Sequence, residues 1–236
     1  GILLKAGPGR PVGVVGPVPR RVQTLLLNKG DRLRLVRDTG EAAAGPTIGC
    51  TLPEVFRDAR PGEPVWFDDG SIGGKIREQD ADGLTVEITQ ARPGGSRLGG
   101  DKGINLPGTA LSVPALTDKD REDLAFIVRH ADLVGYSFVQ EPEDLRDLWR
   151  ELQKHGDRQP GLILKIETRR AFENLPRLLL AGLRAPSLGV MIARGDLAVE
   201  AGFQRLAELQ EEILWICEAA HVPVIWATQV LEQMTK

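Results

Sequence analysis

Aromatic side chains make up only 5% of this 236-residue chain, too few for a base-stacking surface that would hold single-stranded nucleic acid. Charge of one sign is missing as well. Thirty Lys and Arg against 33 Asp and Glu leave a formal net charge of -3, which gives no electrostatic footprint for nucleic acid or an anionic membrane. Cysteine occurs twice, at Cys50 and Cys217, far apart and without metal-ligand spacing, so a reduced, cytoplasmic protein is the natural reading. No apolar run is long enough to span a bilayer, and no signal-peptide pattern opens the sequence. Hydrophobic residues at 42% and charged residues at 27% are ordinary for a globular protein with a full core.

Glycine and proline are plentiful instead, and they are unevenly placed. From about Gly7 to Lys102 the chain is rich in Gly, Pro, Arg and Asp, with short alternating runs. Arg32–Arg37 ends at Asp38-Thr39-Gly40, Glu63–Phe67 ends at Asp68-Asp69-Gly70, and Leu84–Thr89 follows Ala81-Asp82-Gly83. Apolar-polar alternation broken by Asp-Gly is a hairpin signal, and this stretch reads as a small antiparallel β domain. Asp68-Asp69-Gly70 itself reads as a turn without chemistry.

From Gly103 the texture changes to βα repeats. Thr117 and Asp118 offer caps for a helix through Arg129, Ala131–Val139 reads as a strand, and Glu141–His155 as a helix with Pro142 in its first turn. A helical stretch from about Arg170 to Leu183 is interrupted by Pro176, and a long helix runs from about Arg205 to Ala220. Between the helices lie three apolar runs of strand length, expected to be buried on both faces as parallel strands are. Leu162–Ile166 carries Lys165 and then Glu167, Gly189–Ala193 runs into Arg194-Gly195-Asp196, and Pro223–Ala227 runs into Thr228. In a β/α barrel the C-terminal ends of the strands share one rim. Two carboxylates, an ammonium and a hydroxyl would meet there, as a site for a divalent cation holding an oxyanion.

Each residue has a plainer reading by itself. Lys165 and Glu167 alternate onto one face and resemble a solvated strand pair; Asp196 resembles a helix cap; Thr228 resembles any strand threonine; Lys102 beside Asp101 resembles a loop charge. His130, His155 and His221 lie near helix ends, where they complement the helix dipole. Only the joint pattern favours a site, and it does so for Lys165, Glu167, Asp196 and Thr228.

Asp101-Lys102-Gly103-Ile104-Asn105-Leu106-Pro107-Gly108, Leu164-Lys165-Ile166-Glu167, Met191-Ile192-Ala193-Arg194-Gly195-Asp196-Leu197 and Ala227-Thr228-Gln229-Val230-Leu231-Glu232 together closely resemble the pyruvate kinase family. Order and spacing match from roughly Pro61 to the end. The resemblance implies an α/β fold, a TIM-type (β/α) barrel only partly represented here, with a small antiparallel β lid inserted in it. Residues 1–8 would be a barrel-strand remnant, 9–101 the lid, and 102–236 the barrel portion with the motifs. It implies transfer of a phosphoryl group from phosphoenolpyruvate to ADP, giving pyruvate and ATP, with Mg2+ or Mn2+. Lys165 would stabilise the enolate and the transferring phosphoryl group, and Glu167 and Asp196 would ligate the metal. Ala193, Arg194, Gly195 and Asp196 would touch the substrate. Thr228 would bind substrate or position the water that protonates the enolate, and Lys102 would approach the nucleotide.

The departures are specific. Trp226 stands where family members carry a small residue. If Gly7-Pro8 matches the family's Gly-Pro turn, Leu4 replaces an Asp that ligates a monovalent cation and Pro11 replaces a nucleotide-contacting Arg. K+ binding and ADP positioning are then compromised, while the enolate and metal half of the site survives. Two other functions stay open: a catalytically weakened module that binds phosphoenolpyruvate or pyruvate, and a metal-dependent lyase or aldolase acting through a pyruvate enolate. About four barrel strands are visible where eight are needed. Open edges call for more chain, for self-association into a homo-oligomer, or for parts of the parent that this sequence omits. Both ends fall inside elements, which favours a piece of a longer chain.

Overall fold

The computed structural model describes residues 3–5, 11–14, 24–37, 45–156, 158–227 and 234, the first two segments as backbone only. Its elements fall into a β-rich unit and a βα unit. Strand β1 (Leu3–Lys5) pairs antiparallel with β2 (Pro11–Val14) in a two-stranded sheet separate from the others.

The β-rich unit follows. Strand β3 (Leu25–Leu27), β4 (Arg32–Val36), β5 (Thr47–Gly49), the short helix α1 (Val55–Asp58), β6 (Pro64–Phe67), β7 (Ile72–Gln79), β8 (Gly83–Gln90), β9 (Ser96–Leu98) and β10 (Ile104–Asn105) succeed one another. A six-stranded sheet runs β10-β6-β7-β8-β4-β5, and β3 pairs with β9. Every pairing in the larger sheet is antiparallel except β4 with β5, which is parallel. The turn between β6 and β7 is Asp68-Asp69-Gly70, all three in the left-handed region, which Asp tolerates and Gly favours. Alternate residues of the strands (Leu33, Leu35, Val65, Phe67, Ile76, Leu84, Val86, Ile88) form one dry core. That core takes in Leu106, and the sheet takes in β10, so the unit continues past residue 101, where sequence texture alone would end it.

The βα unit comprises α2 (Asp118–His130), β11 (Leu133–Tyr136), α3 (Pro142–Leu152), β12 (Gly161–Ile166), α4 (Arg169–Glu173), α5 (Leu175–Gly182), β13 (Leu188–Ala193), α6 (Arg194–Ala201), α7 (Leu206–Ala219) and β14 (Val224–Ala227). Its start is set by a capping box, with Thr117 accepting from the Asp120 N–H and Asp120 accepting from the Thr117 N–H. The expected interruption of the helical stretch is observed as two helices joined at Asn174, with Pro176 in the first turn of α5, where its missing N–H is harmless. Strands β11-β12-β13-β14 form a parallel sheet in chain order, each joined to the next by helix. This is a sector of a β/α barrel.

Leu162, Leu164 and Ile166 of β12 and Val190 and Ile192 of β13 point at the helices and are buried with Leu145, Leu178 and Ile213. Each fully buried side chain of this kind contributes about 1.5–3 kcal/mol. The apolar runs were expected to be dry on both faces. On the helix-covered face Leu162, Leu164, Ile166, Val190 and Ile192 are dry, while Ile163, Lys165 and Met191 on the other face are half-buried. Barrel strands fill that second face only when the sheet closes on itself. No helix among the described residues is long and apolar enough to cross a membrane.

Candidate active site at the strand ends

The parallel register brings the strand ends level. Lys165 lies opposite Met191, Ile166 opposite Ile192, and Ala193 opposite Ala227. Residues just past Tyr136, Ile166 and Ala193 therefore gather on one rim. Lys165 reaches that rim from the inner face of β12, and Glu167 follows it one step beyond the strand. The Thr168 hydroxyl then accepts from the Ala171 N–H and caps α4, which fixes where the chain turns after Glu167.

Lys165 and Glu167 form a tight unit. Lys165 Nζ is 2.6 Å from Glu167 Oε1, and the Glu167 side chain is 3% exposed against 24% for Lys165. The ammonium also donates to Ser137 Oγ at 2.7 Å. Glu167 Oε2 accepts from the Phe138 backbone N–H at 2.5 Å. Presenting that N–H puts Phe138 in the left-handed region at φ 52°, a conformation that costs a non-glycine residue roughly 1–2 kcal/mol. The side chain of Phe138 gains little in return, since it is half exposed.

Asp196 stands in the first turn of α6, which starts directly at Arg194 with Ala193 as its half-in flanking residue. An acid there complements the helix dipole. Even so, burial raises the Asp196 carboxyl above its ordinary value, and the charges of Glu167 and then Asp69 raise it further against the opposing pull of Lys165. One turn later Glu200 is pushed up to about 7, first by burial and then by Asp196. A Cβ placed on Gly195 would meet open space, so the backbone at this helix start is accessible. The Arg194 guanidinium lies over the Trp226 ring at 5.8 Å, and the Trp226 indole N–H donates to Gln210 Oε1 at 3.1 Å.

Three of the expected residues thus come together: Lys165, Glu167 and Asp196, with Ala193, Arg194 and Gly195 beside them. Lys102 is held by the β6–β7 turn. Its Nζ pairs with Asp68 Oδ1 at 2.8 Å, and this hydrogen bond, then the Asp68 charge, raise its pKa. Thr228 lies outside the described residues. Asp68-Asp69-Gly70 forms the expected hairpin turn, and it packs close to the site. Asp69 acts electrostatically on Asp196, and a Cβ on Gly70 would lie 3.1 Å from Val199 of α6. The turn therefore seats on the βα unit beside the carboxylates.

Ser137, Phe138 and Glu200 were missed in the sequence. One signal could have found Ser137: it is the first residue past β11, as Glu167 is past β12. A cavity of about 780 Å³ opens beside the rim, walled by Ser137, Phe138, Thr168 and Glu200 on one side and Ile104 and Leu106 on the other.

The pyruvate kinase barrel-domain family matches residues 18–236. This chain belongs to the pyruvate kinase family. It is 33% identical over 215 residues to a pyruvate kinase of Clostridium acetobutylicum, covering 90% of this chain and 43% of that protein. The pyruvate kinase of Hypocrea jecorina is 33% identical over 243 residues, covering 98% and 44%. That of Thermotoga maritima is 33% identical over 188 residues, covering 79% and 38%. The chain spans less than half the length of these pyruvate kinases. The family is one of transferases, and the β/α sector described above is the pyruvate kinase barrel seen in part.

Proposed function

We propose that this chain carries the enolate and metal half of a pyruvate kinase-type site, which transfers the phosphoryl group of phosphoenolpyruvate to ADP. The observation that carries the reading is the pair of buried Glu167 with half-buried Lys165, placed within the field of Asp196 at the strand ends. An acid whose pKa is raised by a neighbouring carboxylate, as that of Asp196 is by Glu167, marks a concentration of negative charge that a divalent cation relieves. Glu167 and Asp196 supply hard oxygen donors, the kind Mg2+ or Mn2+ takes. Two protein carboxylates suit Mg2+, which keeps waters and substrate oxygens in the rest of its shell. Each Glu167 oxygen has a lone pair left after the bonds to Lys165 and Phe138. When bound, the metal would neutralise charge on the phosphoryl and enolate oxygens.

The protein groups would do the remainder. Phosphoryl transfer breaks the bond between phosphorus and the enolate oxygen and forms one to a terminal phosphate oxygen of ADP. The enolate then takes a proton at its terminal carbon to become pyruvate. Lys165 would hold the oxygen on which charge grows, and such an electrostatic donor acts where the charge develops in the transition state. The open backbone at Arg194-Gly195-Asp196 would receive the substrate's anionic group at the start of α6. Thr228 would position the proton-delivering water, and Lys102, on the β-rich unit, would serve the nucleotide. A K+ site is not part of this reading.

Pyruvate formation from phosphoenolpyruvate tests it, followed with and without ADP and Mg2+. ADP-dependent turnover that falls by about two to three orders of magnitude in Lys165→Met, with substrate binding kept, is the expected result. Mn2+ titration by calorimetry should show a site lost in Asp196→Ala. Binding of phosphoenolpyruvate without turnover would identify a binding module, and ADP-independent conversion would identify a lyase.

A further inference from the structure

We infer that the Ser137–Phe138 turn is a positioning element that fixes the direction in which the Lys165 ammonium acts. An ammonium has three N–H groups that rotate together. In this structure one is directed to Ser137 Oγ at 2.7 Å and one to Glu167 Oε1 at 2.6 Å. With two directions held, the third is set and is left for an incoming oxyanion. Glu167 cannot do this alone, because one acceptor leaves the rotor free to turn about a single hydrogen bond. The second acceptor comes from a different strand end, 28 residues earlier in the chain.

The backbone of the same turn holds the other partner. The Phe138 N–H donates to Glu167 Oε2, so the carboxylate is gripped at both oxygens and cannot swing away from Lys165. This grip requires the left-handed Phe138. Backbone strain of this kind persists where the surroundings over-determine it. Here they do so through two hydrogen bonds to one Lys-Glu unit, one accepted by the Ser137 hydroxyl from Lys165 and one donated by the Phe138 N–H to Glu167. Ser137 also lines the cavity beside the rim.

The inference rests on the proposed role of Lys165, and its test separates the two. Outer partners of a charged site group are worth about 10- to 100-fold in activity. Ser137→Ala should lower kcat by that amount with KM for phosphoenolpyruvate changed less than about twofold. Ser137→Thr, which keeps the hydroxyl, should restore most of it. The second readout needs no turnover: trinitrobenzenesulfonate labelling of Lys165, mapped by peptide mass, should run several-fold faster in Ser137→Ala than in the wild type or Ser137→Thr. If the wild-type protein proves inactive, the proposed function fails and labelling alone decides, equal rates overturning the clamp. If the wild type is active, unchanged kcat in Ser137→Ala overturns it. So does a loss that Ser137→Thr fails to rescue and that tracks lowered thermal stability.

Discussion

Glu167→Gln changes one atom type at the best-buried charge of the site, and the consequences can be worked from its contacts. The carboxylate accepts from the Lys165 ammonium with one oxygen and from the Phe138 N–H with the other. An amide has one oxygen. Whichever donor keeps it, the other faces an NH2 group, so either a backbone N–H or an ammonium loses its acceptor. Breaking a fully buried ion pair costs about 3–5 kcal/mol. Lys165 is partly exposed and keeps Ser137, which lowers that figure, whereas the orphaned donor adds to it. A net loss of about 3 kcal/mol is expected, and for a chain of this length that lowers Tm by roughly 6–12 °C. The same change removes one of the charges that raise Asp196, so the Asp196 carboxyl should titrate lower in the variant. Scanning calorimetry reads the first effect, and carboxyl-carbon NMR across a pH titration reads the second. A variant as stable as the wild type, with Asp196 titrating unchanged, would refute the reasoning, since the pair would then be neither buried nor coupled as described.

Glu200 gives a pH dependence of opposite sense to the usual carboxylate. Its folded-state value of about 7 exceeds its ordinary 4.5, so the folded chain binds the proton more tightly. That contribution is fully present below about pH 4.5 and lost as pH rises through about 7. It amounts to about 2 kcal/mol after discounting for partial exposure, and urea unfolding at pH 5 and pH 8 should show it disappear in Glu200→Gln. In the β-rich unit, a Cβ at Gly83 would overlap the Leu35 carbonyl oxygen across the β4–β8 pairing. Gly83→Ala should therefore cost about 2–3 kcal/mol or more in urea unfolding, and an unchanged midpoint would mean that the strands are not so paired.

Much of the βα unit is written locally. The Thr117–Asp120 capping box, Pro142 at the start of α3 and the left-handed Gly156 past its end act on neighbours a few residues away, and their effect follows from composition and spacing. The same holds for the Asp-Gly turns of the β-rich unit. It holds also for Lys165, Glu167 and Asp196, because parallel strands in register must bring their C-terminal ends to one rim. Other features depend on residues that meet only after the sheet forms. Ser137 reaches Lys165 because β11 and β12 lie side by side, a pairing that no local pattern specifies. The left-handed Phe138 is unfavourable by its own propensity and is held by Glu167 from the next strand. The Asp68-Asp69-Gly70 turn reads as an inert hairpin until it seats against α6 and adds its charge to Asp196. Glu200 looks like any helical glutamate, and only the loss of water around it, with Asp196 one turn before, shifts its proton to neutral pH. Sequence determined which groups stand at the strand ends; desolvation and the pairing of distant strands, which exist only in the folded chain, decided how their charges are held.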